Sequence, residues 1–194
     1  MKESGNILFC GIGGQGILLA SEITAFVLLE AGMDVKKSEV HGMAQRGGSV
    51  VAHLRFGEKV YSPLIDPGQA DYALAFEMME AARYLPFFHS KSKVIVNTHK
   101  IAPPIVATGK MEYPENVLDR LTKNGISVLP VDGFAIASSV GEIRAANVAM
   151  VGTLSALLPF EESMFIDVMK KRLPAKILDV NLKAFDAGRK AAAA

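Results

Sequence analysis

The chain has 194 residues, of which 50% are hydrophobic and 21% are charged, and its formal net charge is +1. This length allows one domain with a full core, and a near-neutral chain without a basic run has no feature that predicts binding to nucleic acid or to an anionic membrane. The single cysteine, Cys10, excludes an internal disulfide, a Cys-x-x-Cys zinc site and a four-thiolate iron–sulfur cluster held by this chain alone.

The polar residues 1–5 lead straight into an apolar strand, so no signal peptide is visible and we expect a cytoplasmic protein. The most apolar segment, residues 17–31, is interrupted by Glu22 and Glu30 and is too short to span a bilayer. We therefore expect no membrane-spanning segment. We interpret Cys10, at the end of the first strand, as a small buried hydrophobe rather than a nucleophile.

A glycine-rich turn joins the first predicted strand to the first predicted helix, residues 15–30. Four glycines fall within six residues: Gly11, Gly13, Gly14 and Gly16. Glycine accepts positive φ and allows close approach of another backbone or a ligand, and the start of a helix offers free N–H groups to an anion. We interpret this turn as the phosphate-binding turn of an open α/β sheet.

A second glycine-rich segment, residues 41–48, follows a predicted strand at residues 34–40. In an open sheet this segment should lie near the same carboxyl edge as the first turn. It offers the guanidinium of Arg46, the amide of Gln45, the imidazole of His41 and two glycines. Such a set can hold a phosphate or an acyl group, and it can equally form a rigid loop against another subunit.

Residues 49–56 alternate, with Val50, Ala52, Leu54 and Phe56 on one face, which predicts a strand. Residues 57–59 then separate it from residues 60–64, a pattern that predicts an antiparallel hairpin. Because Pro63 cannot donate a ladder hydrogen bond, the second arm of this hairpin should lie at a sheet edge.

The rest of the chain alternates strands and helices and ends in helices. Strands are predicted at residues 72–76, 94–97 and 126–131, and helices at 78–85, 115–123, 143–158, 162–173 and 177–187. Small residues in the segment 143–158 allow close helix packing: Ala145, Ala146, Ala149, Gly152 and Ala156. This order predicts a single α/β domain over residues 1–194, with an open, doubly wound, mostly parallel Rossmann-like sheet, an antiparallel edge hairpin and a helical C-terminal end.

The spacing Gly11-x-Gly13-x-x-Gly16 also matches the dinucleotide-binding fingerprint, and Glu39 lies about 20 residues further on, where an acidic residue would bind a ribose. This pattern supports an alternative function, a stand-alone NAD(P)- or flavin-binding reductase. A third interpretation is a structural or regulatory module, in which the glycines serve packing only and no ligand binds.

The two glycine-rich segments together resemble the small subunit of 2-oxoacid:ferredoxin oxidoreductases, in the form found in the beta subunit of indolepyruvate ferredoxin oxidoreductase and the related gamma subunits. The residues that carry the resemblance are 11–16, 38–50 (with His-Gly-Met-Ala-Gln-Arg-Gly-Gly at 41–48) and 60–65, and residues 145–152 are also similar. The resemblance extends over nearly the whole chain and implies that residues 1–194 form a single gamma-type domain of this family.

This resemblance implies a complex that oxidatively decarboxylates an aryl pyruvate to an aryl acetyl-coenzyme A and reduces ferredoxin. The chain has no Gly-Asp-Gly…Asn-Asn thiamine signature, so the thiamine diphosphate and the iron–sulfur clusters are expected in a large partner subunit. No catalytic residue and no metal ligand is then expected in this chain, which should be inactive when isolated. The surface that binds the partner would be exposed in the isolated chain and could also form a homodimer.

The resemblance further implies that the domain helps to close the coenzyme A site. Carried over to this sequence, the residues that would hold a coenzyme A phosphate are Gly13, Gly14, Gln15 and Gly16, with Gln45 and Arg46 lining the shared cleft. The sequence leaves open which 2-oxoacid reacts, what the subunit stoichiometry is, and whether the glycine turn binds coenzyme A or only packs.

Overall fold

A computed structural model of the chain describes residues 4–42, 47–102, 106, 108–110 and 112–193. Six strands form one sheet: β1 (Gly5–Ile12), β2 (Asp34–His41), β3 (Ser49–Gly57), β4 (Ala70–Ala75), β5 (Phe88–Asn97) and β6 (Ser127–Val131). The helices are α1 (Ile17–Glu30), α2 (Met78–Arg83), α3 (Val117–Lys123), α4 (Gly133–Ser139), α5 (Ala146–Leu157), α6 (Glu162–Arg172) and α7 (Ala175–Ala191).

The strand order in the sheet is β2-β3-β1-β4-β5-β6. Strands β1, β4, β5 and β6 are mutually parallel, and β3 is antiparallel to both of its neighbours. Since β2 is antiparallel to β3, it runs in the same direction as β1, and its C-terminal end lies at the same edge of the sheet. The expected α/β class, with a mostly parallel sheet and an antiparallel hairpin at one edge, is confirmed.

The hairpin forms between strands other than those predicted. Strand β3 pairs with β2, with Val51 opposite Val40, whereas the segment 60–64 forms no strand. Side chains of β3 hold that segment instead: Arg55 donates to the carbonyl oxygens of Ser62 and Leu64, and His53 Nδ1 accepts from the Ile65 N–H at 3.2 Å. The prediction of a 60–64 arm was wrong because local alternation identifies a strand but not its neighbour in the sheet.

Hydrophobic cores cover both faces of the sheet. Alternate residues of β1 point to opposite sides, so Ile7 and Phe9 join the core formed with α1 and the C-terminal helices, and Leu8 and Cys10 join the core formed with α2 and α3. Val50, Ala52, Leu54 and Phe56 all lie in the first of these cores, as the alternation of β3 predicts. Helices therefore lie on both faces, which is the doubly wound arrangement.

Helices α5 and α7 cross at two glycines in direct backbone contact. A Cβ atom added to Gly188 would lie 1.9 Å from the carbonyl oxygen of Ala149, and one added to Gly152 would lie 2.1 Å from that of Phe185. The hydroxyl of Thr153 donates to the carbonyl of Gly188 at 2.9 Å across the same crossing. The small residues of α5 thus serve close helix packing, as predicted.

Cys10 is completely buried, and burial raises the pKa of its thiol well above the ordinary value, so the thiol stays protonated. Within residues 4–42, 47–102 and the later described segments, no helix combines the length and the hydropathy needed to cross a bilayer. In the same residues, no group of three or more His, Cys, Asp or Glu side chains is arranged to hold a metal ion.

Candidate functional site

A crevice opens at the carboxyl edge of the sheet between β1 and β4. After β1 the chain continues into α1 on one face, and after β4 it continues into α2 on the other, so the two connections diverge. Ligands of open α/β sheets bind at such a divergence. A cleft of about 200 Å³ lies here, between the glycine turn, Phe76 at the end of β4, and the segment that runs from α4 to the start of α5.

The glycine turn forms one wall of this cleft. Gly14 and Gly16 have φ of +103° and +77°, a region that other residues rarely adopt. Gly16 is the N-cap of α1, which has no side-chain cap and no acidic residue in its first turn. A Cβ at Gly14 would meet nothing within 4 Å, so the backbone there is open to a ligand. The predicted turn before a helix is therefore present, with an uncapped helix N-terminus and exposed backbone, and the binding of an anion there stays a prediction.

The amide of Gln15 connects the ends of β1 and β4. Its Oε1 accepts from the Ile12 N–H at 2.6 Å, and its Nε2 donates to the carbonyl of Phe76 at 2.8 Å. These bonds give Gln15 a positioning role that the sequence analysis did not predict. The amide has a second N–H and a second lone pair beyond these two bonds, so it retains the capacity to bind a ligand as well. That contact stays a prediction.

Asn97, at the end of β5, extends this arrangement across the sheet. Its Nδ2 donates to the same Phe76 carbonyl at 3.2 Å, and its Oδ1 accepts from the Gly133 N–H at the start of α4 at 3.1 Å. Asn97 is buried. The two amides together hold three strand ends and one helix start in register around the cleft.

Replacing Gln15 by leucine should lower the free energy of unfolding by about 2 kcal/mol, because the N–H of the buried Ile12 then loses its hydrogen bond to the Gln15 amide. Urea unfolding of the purified chain measures this loss. A Gln69→Leu variant, at an exposed residue outside the cleft, should stay within about 0.5 kcal/mol of the original chain. A Gln15→Leu variant of unchanged stability would show that the amide does not support the fold.

The second glycine-rich segment reaches the first turn, as its position after β2 predicts. The N–H of Gly13 donates to the carbonyl of Gly48 at 2.8 Å, so the flanks of the two segments are in contact. The two side chains predicted to line the cleft from this segment, Gln45 and Arg46, lie outside the described residues. Their contact with a ligand stays a prediction.

Two buried carboxylates at the start of α2 hold the loops beside the crevice. Glu80 accepts a hydrogen bond from Ser49, directly after the second glycine-rich segment, and pairs with Arg83 at 3.0 Å. Glu77 caps α2 by accepting from the Met79 N–H at 2.7 Å, and it accepts a hydrogen bond from the Tyr113 hydroxyl. Burial, together with this bond, raises the pKa of Tyr113. Both carboxylates are thus bound within the fold.

The remaining wall of the cleft comes from residues that the sequence analysis did not identify. Phe134 of α4 stacks on His99 with ring centroids 3.9 Å apart, and Asn147 of α5 donates to the carbonyl of Gly16 at 3.3 Å. The short 3₁₀ turn Ile143–Ala145 places Arg144 at the mouth. The one local signal was Asp132, whose carboxylate accepts from the Ala135 N–H and caps α4, a helix that the sequence analysis missed.

Glu39, the residue proposed to bind a ribose in the dinucleotide interpretation, lies away from this crevice. It belongs to β2, and β3 separates β2 from β1 in the sheet. Its carboxylate pairs with Lys37 at 2.6 Å. The fingerprint requires the acidic residue beside the glycine turn, so this arrangement does not favour an NAD(P)-binding site.

The family model for pyruvate ferredoxin/flavodoxin oxidoreductase matches residues 6–191 of the chain. A curated relative, the indolepyruvate oxidoreductase subunit IorB of Archaeoglobus fulgidus, is 42% identical over 187 residues, which cover 94% of this chain and 92% of the relative. The similarity therefore extends over nearly all of both proteins.

Two solved structures have the same fold. The gamma subunit of a keto/oxoacid ferredoxin oxidoreductase from Geobacter sulfurreducens superimposes with a TM-score of 0.73 at 21% identity, over 97% of this chain and 98% of that one. A chain of the 2-oxoglutarate:ferredoxin oxidoreductase from Magnetococcus marinus, solved with 2-oxoglutarate, coenzyme A and succinyl-CoA bound, gives a TM-score of 0.77 at 21% identity. All of this chain matches, but only 32% of the Magnetococcus chain, so there the fold is one part of a longer polypeptide.

Proposed function

The chain belongs to the pyruvate ferredoxin/flavodoxin oxidoreductase family, and from this membership we propose that it is the small, non-catalytic subunit of a complex that oxidises aryl pyruvates. The complex would decarboxylate an indolepyruvate-type substrate to an aryl acetyl-coenzyme A, with ferredoxin as the electron acceptor. The name of the Archaeoglobus relative supports the indolepyruvate type.

The reactive centre of this proposal lies in a larger partner subunit. The sequence has a single cysteine, which is buried and protonated, so this chain cannot supply four thiolates to an iron–sulfur cluster. The thiamine signature is likewise missing from the sequence. Thiamine diphosphate and the clusters would then be held by the partner, which would also pass the electrons to ferredoxin.

The contribution of this chain to the reaction would be the coenzyme A side of a shared cleft. The observation that carries this assignment is the glycine turn, where Gly14 presents open backbone at the uncapped N-terminus of α1 inside the crevice. A phosphate there would accept hydrogen bonds from backbone N–H groups and interact with the positive end of the helix dipole. Gly13, Gln15, Gly16, Gln45 and Arg46 are assigned to the same ligand.

Copurification tests the subunit assignment. A tagged copy of the chain, expressed in its own organism under anaerobic conditions, should bring down a larger chain that contains thiamine diphosphate and iron–sulfur clusters. Recovery of the chain alone, or of partners without these cofactors, would contradict the proposal. The stand-alone reductase predicts the opposite outcome, namely micromolar binding of NADH or NADPH by the isolated chain.

A further inference from the structure

A second cleft, of about 470 Å³, lies beside the first and shares Arg144 and Asn147 with it. Its other walls are Leu19 in the first turn of α1 and the first two turns of α7, which include Lys176 and Asn181. Because the two clefts share these lining residues, they lie side by side on the same surface, within reach of one elongated ligand.

The charged groups of the second cleft favour an anion. Arg144 donates to both carboxylate oxygens of Glu142, at 2.9 and 2.7 Å, and this bonding lowers the pKa of Glu142 to about 2, so the pair stays ionised and neutral overall. Lys176 is exposed and forms no ion pair with any residue that the structure describes. The ammonium of Lys176 therefore gives the cleft a net positive charge.

Three helices, α1, α5 and α7, also begin at the two clefts. Helices α1 and α7 have no side-chain cap and no acidic residue in the first turn, whereas the 3₁₀ turn that leads into α5 is capped by the Glu142 carboxylate. The N-termini of α1 and α7 therefore contribute uncompensated positive dipole ends to the walls of the clefts.

Asn147 supplies a polar group inside the same wall. The residue is only 6% exposed, and its Nδ2 donates to the carbonyl of Gly16. The amide has a second N–H, which is not paired with any residue that the structure describes, and Asn147 lines both clefts. A buried donor of this kind gives the cleft a polar contact that does not depend on a flexible surface side chain.

We propose that the second cleft binds the 3′-phosphate of the coenzyme A whose diphosphate lies at the glycine turn, with Lys176 and Arg144 as the phosphate-binding side chains. Coenzyme A carries a diphosphate at the 5′ oxygen and a monophosphate at the 3′ oxygen of the same ribose, and the two neighbouring clefts offer one anion-binding wall for each. The assignment rests on the proposed coenzyme A role of the glycine turn. It makes Lys176 and Arg144 the residues that distinguish coenzyme A from dephospho-coenzyme A, which lacks the 3′-phosphate.

The assembled complex allows a direct test with these two compounds as alternative acyl acceptors. In Lys176→Gln and Arg144→Gln complexes, the KM for coenzyme A should rise roughly tenfold, because each change removes a charged hydrogen-bond donor. The KM for dephospho-coenzyme A should stay within about twofold, since that compound has no 3′-phosphate to lose. Lys176→Arg should retain the KM of the original complex for coenzyme A, and Lys183→Gln, on the same helix but outside the cleft, is the matched control.

Two results would overturn the inference. In the first, neither glutamine variant changes the KM for coenzyme A, and in the second both compounds lose affinity equally. A Gly14→Val complex distinguishes this failure from failure of the proposed function. If Gly14→Val weakens both compounds while the glutamine variants change neither, the glycine turn keeps its role and only the 3′-phosphate site is wrong; if Gly14→Val also changes neither, the coenzyme A role itself is wrong.

Discussion

A Gly14→Val complex is expected to bind coenzyme A roughly thirtyfold more weakly than the original complex, a loss of about 2 kcal/mol. Gly14 lies where a Cβ would meet no protein atom within 4 Å, and it forms part of the cleft wall. An isopropyl group there would occupy the space through which the phosphate of the proposed site would approach the backbone N–H groups. Calorimetric titration of the anaerobic complex with coenzyme A, without 2-oxoacid, measures the affinity.

The strain of a side chain at positive φ has to be separated from the loss of the ligand contact. Gly125 provides the control, because it also has a positive φ, +77°, and also has open space around its Cα, but it lies outside the cleft. Gly125→Val should cost a similar amount of stability, on the order of 1–2 kcal/mol, and should leave coenzyme A affinity unchanged. Equal affinity in the Gly14→Val and original complexes would remove the glycine turn from the coenzyme A site.

A Gly188→Ala substitution should lower the free energy of unfolding by about 3 kcal/mol or more, although alanine normally stabilises a helix by about 1 kcal/mol relative to glycine. The new Cβ would lie 1.9 Å from the carbonyl oxygen of Ala149, so α5 and α7 would have to separate. Their separation would also break the hydrogen bond from Thr153 to Gly188. Urea unfolding followed by circular dichroism measures the change.

Lys183→Ala, at an exposed position of α7, is the control for helix propensity and should change stability by no more than about 0.5 kcal/mol. A Gly188→Ala chain as stable as the original, or more stable, would contradict the backbone contact at this crossing. Gly152→Ala should be destabilising for the same reason, since its Cβ would lie 2.1 Å from the carbonyl oxygen of Phe185.

Local pattern was sufficient to predict the glycine-turn side of the cleft and the core face of β3. The glycine spacing predicted the turn between β1 and α1, and the alternation at residues 50–56 predicted which side of β3 faces the core. The small residues of α5 predicted a close helix contact, but the partner, Gly188, lies 36 residues beyond Gly152 and no local pattern connects the two.

Pairing over long sequence distances accounts for what the sequence analysis missed or misassigned. The segment 60–64 was assigned to a hairpin because it follows β3 closely. The hairpin partner of β3 is instead β2, which precedes β3 and is joined to it by the second glycine-rich segment. Asn97 and Asn147 were not recognised because an asparagine in an apolar run does not show which carbonyl it will meet. The role of Asn97 follows from the sheet order, which brings the ends of β4 and β5 together, and that of Asn147 from the packing of α5 against the start of α1.

Ferredoxin reduction driven by a 2-oxoacid, measured with this chain alone and with the chain joined to its larger partner, tests the central claim most directly. Both assays contain coenzyme A, an aryl pyruvate and oxidised ferredoxin under anaerobic conditions. We expect no turnover by the chain alone and steady reduction by the two together, because the proposed function gives the thiamine and the clusters to the partner and only a part of the cleft to this chain. Turnover by this chain without any other subunit would contradict that division of roles.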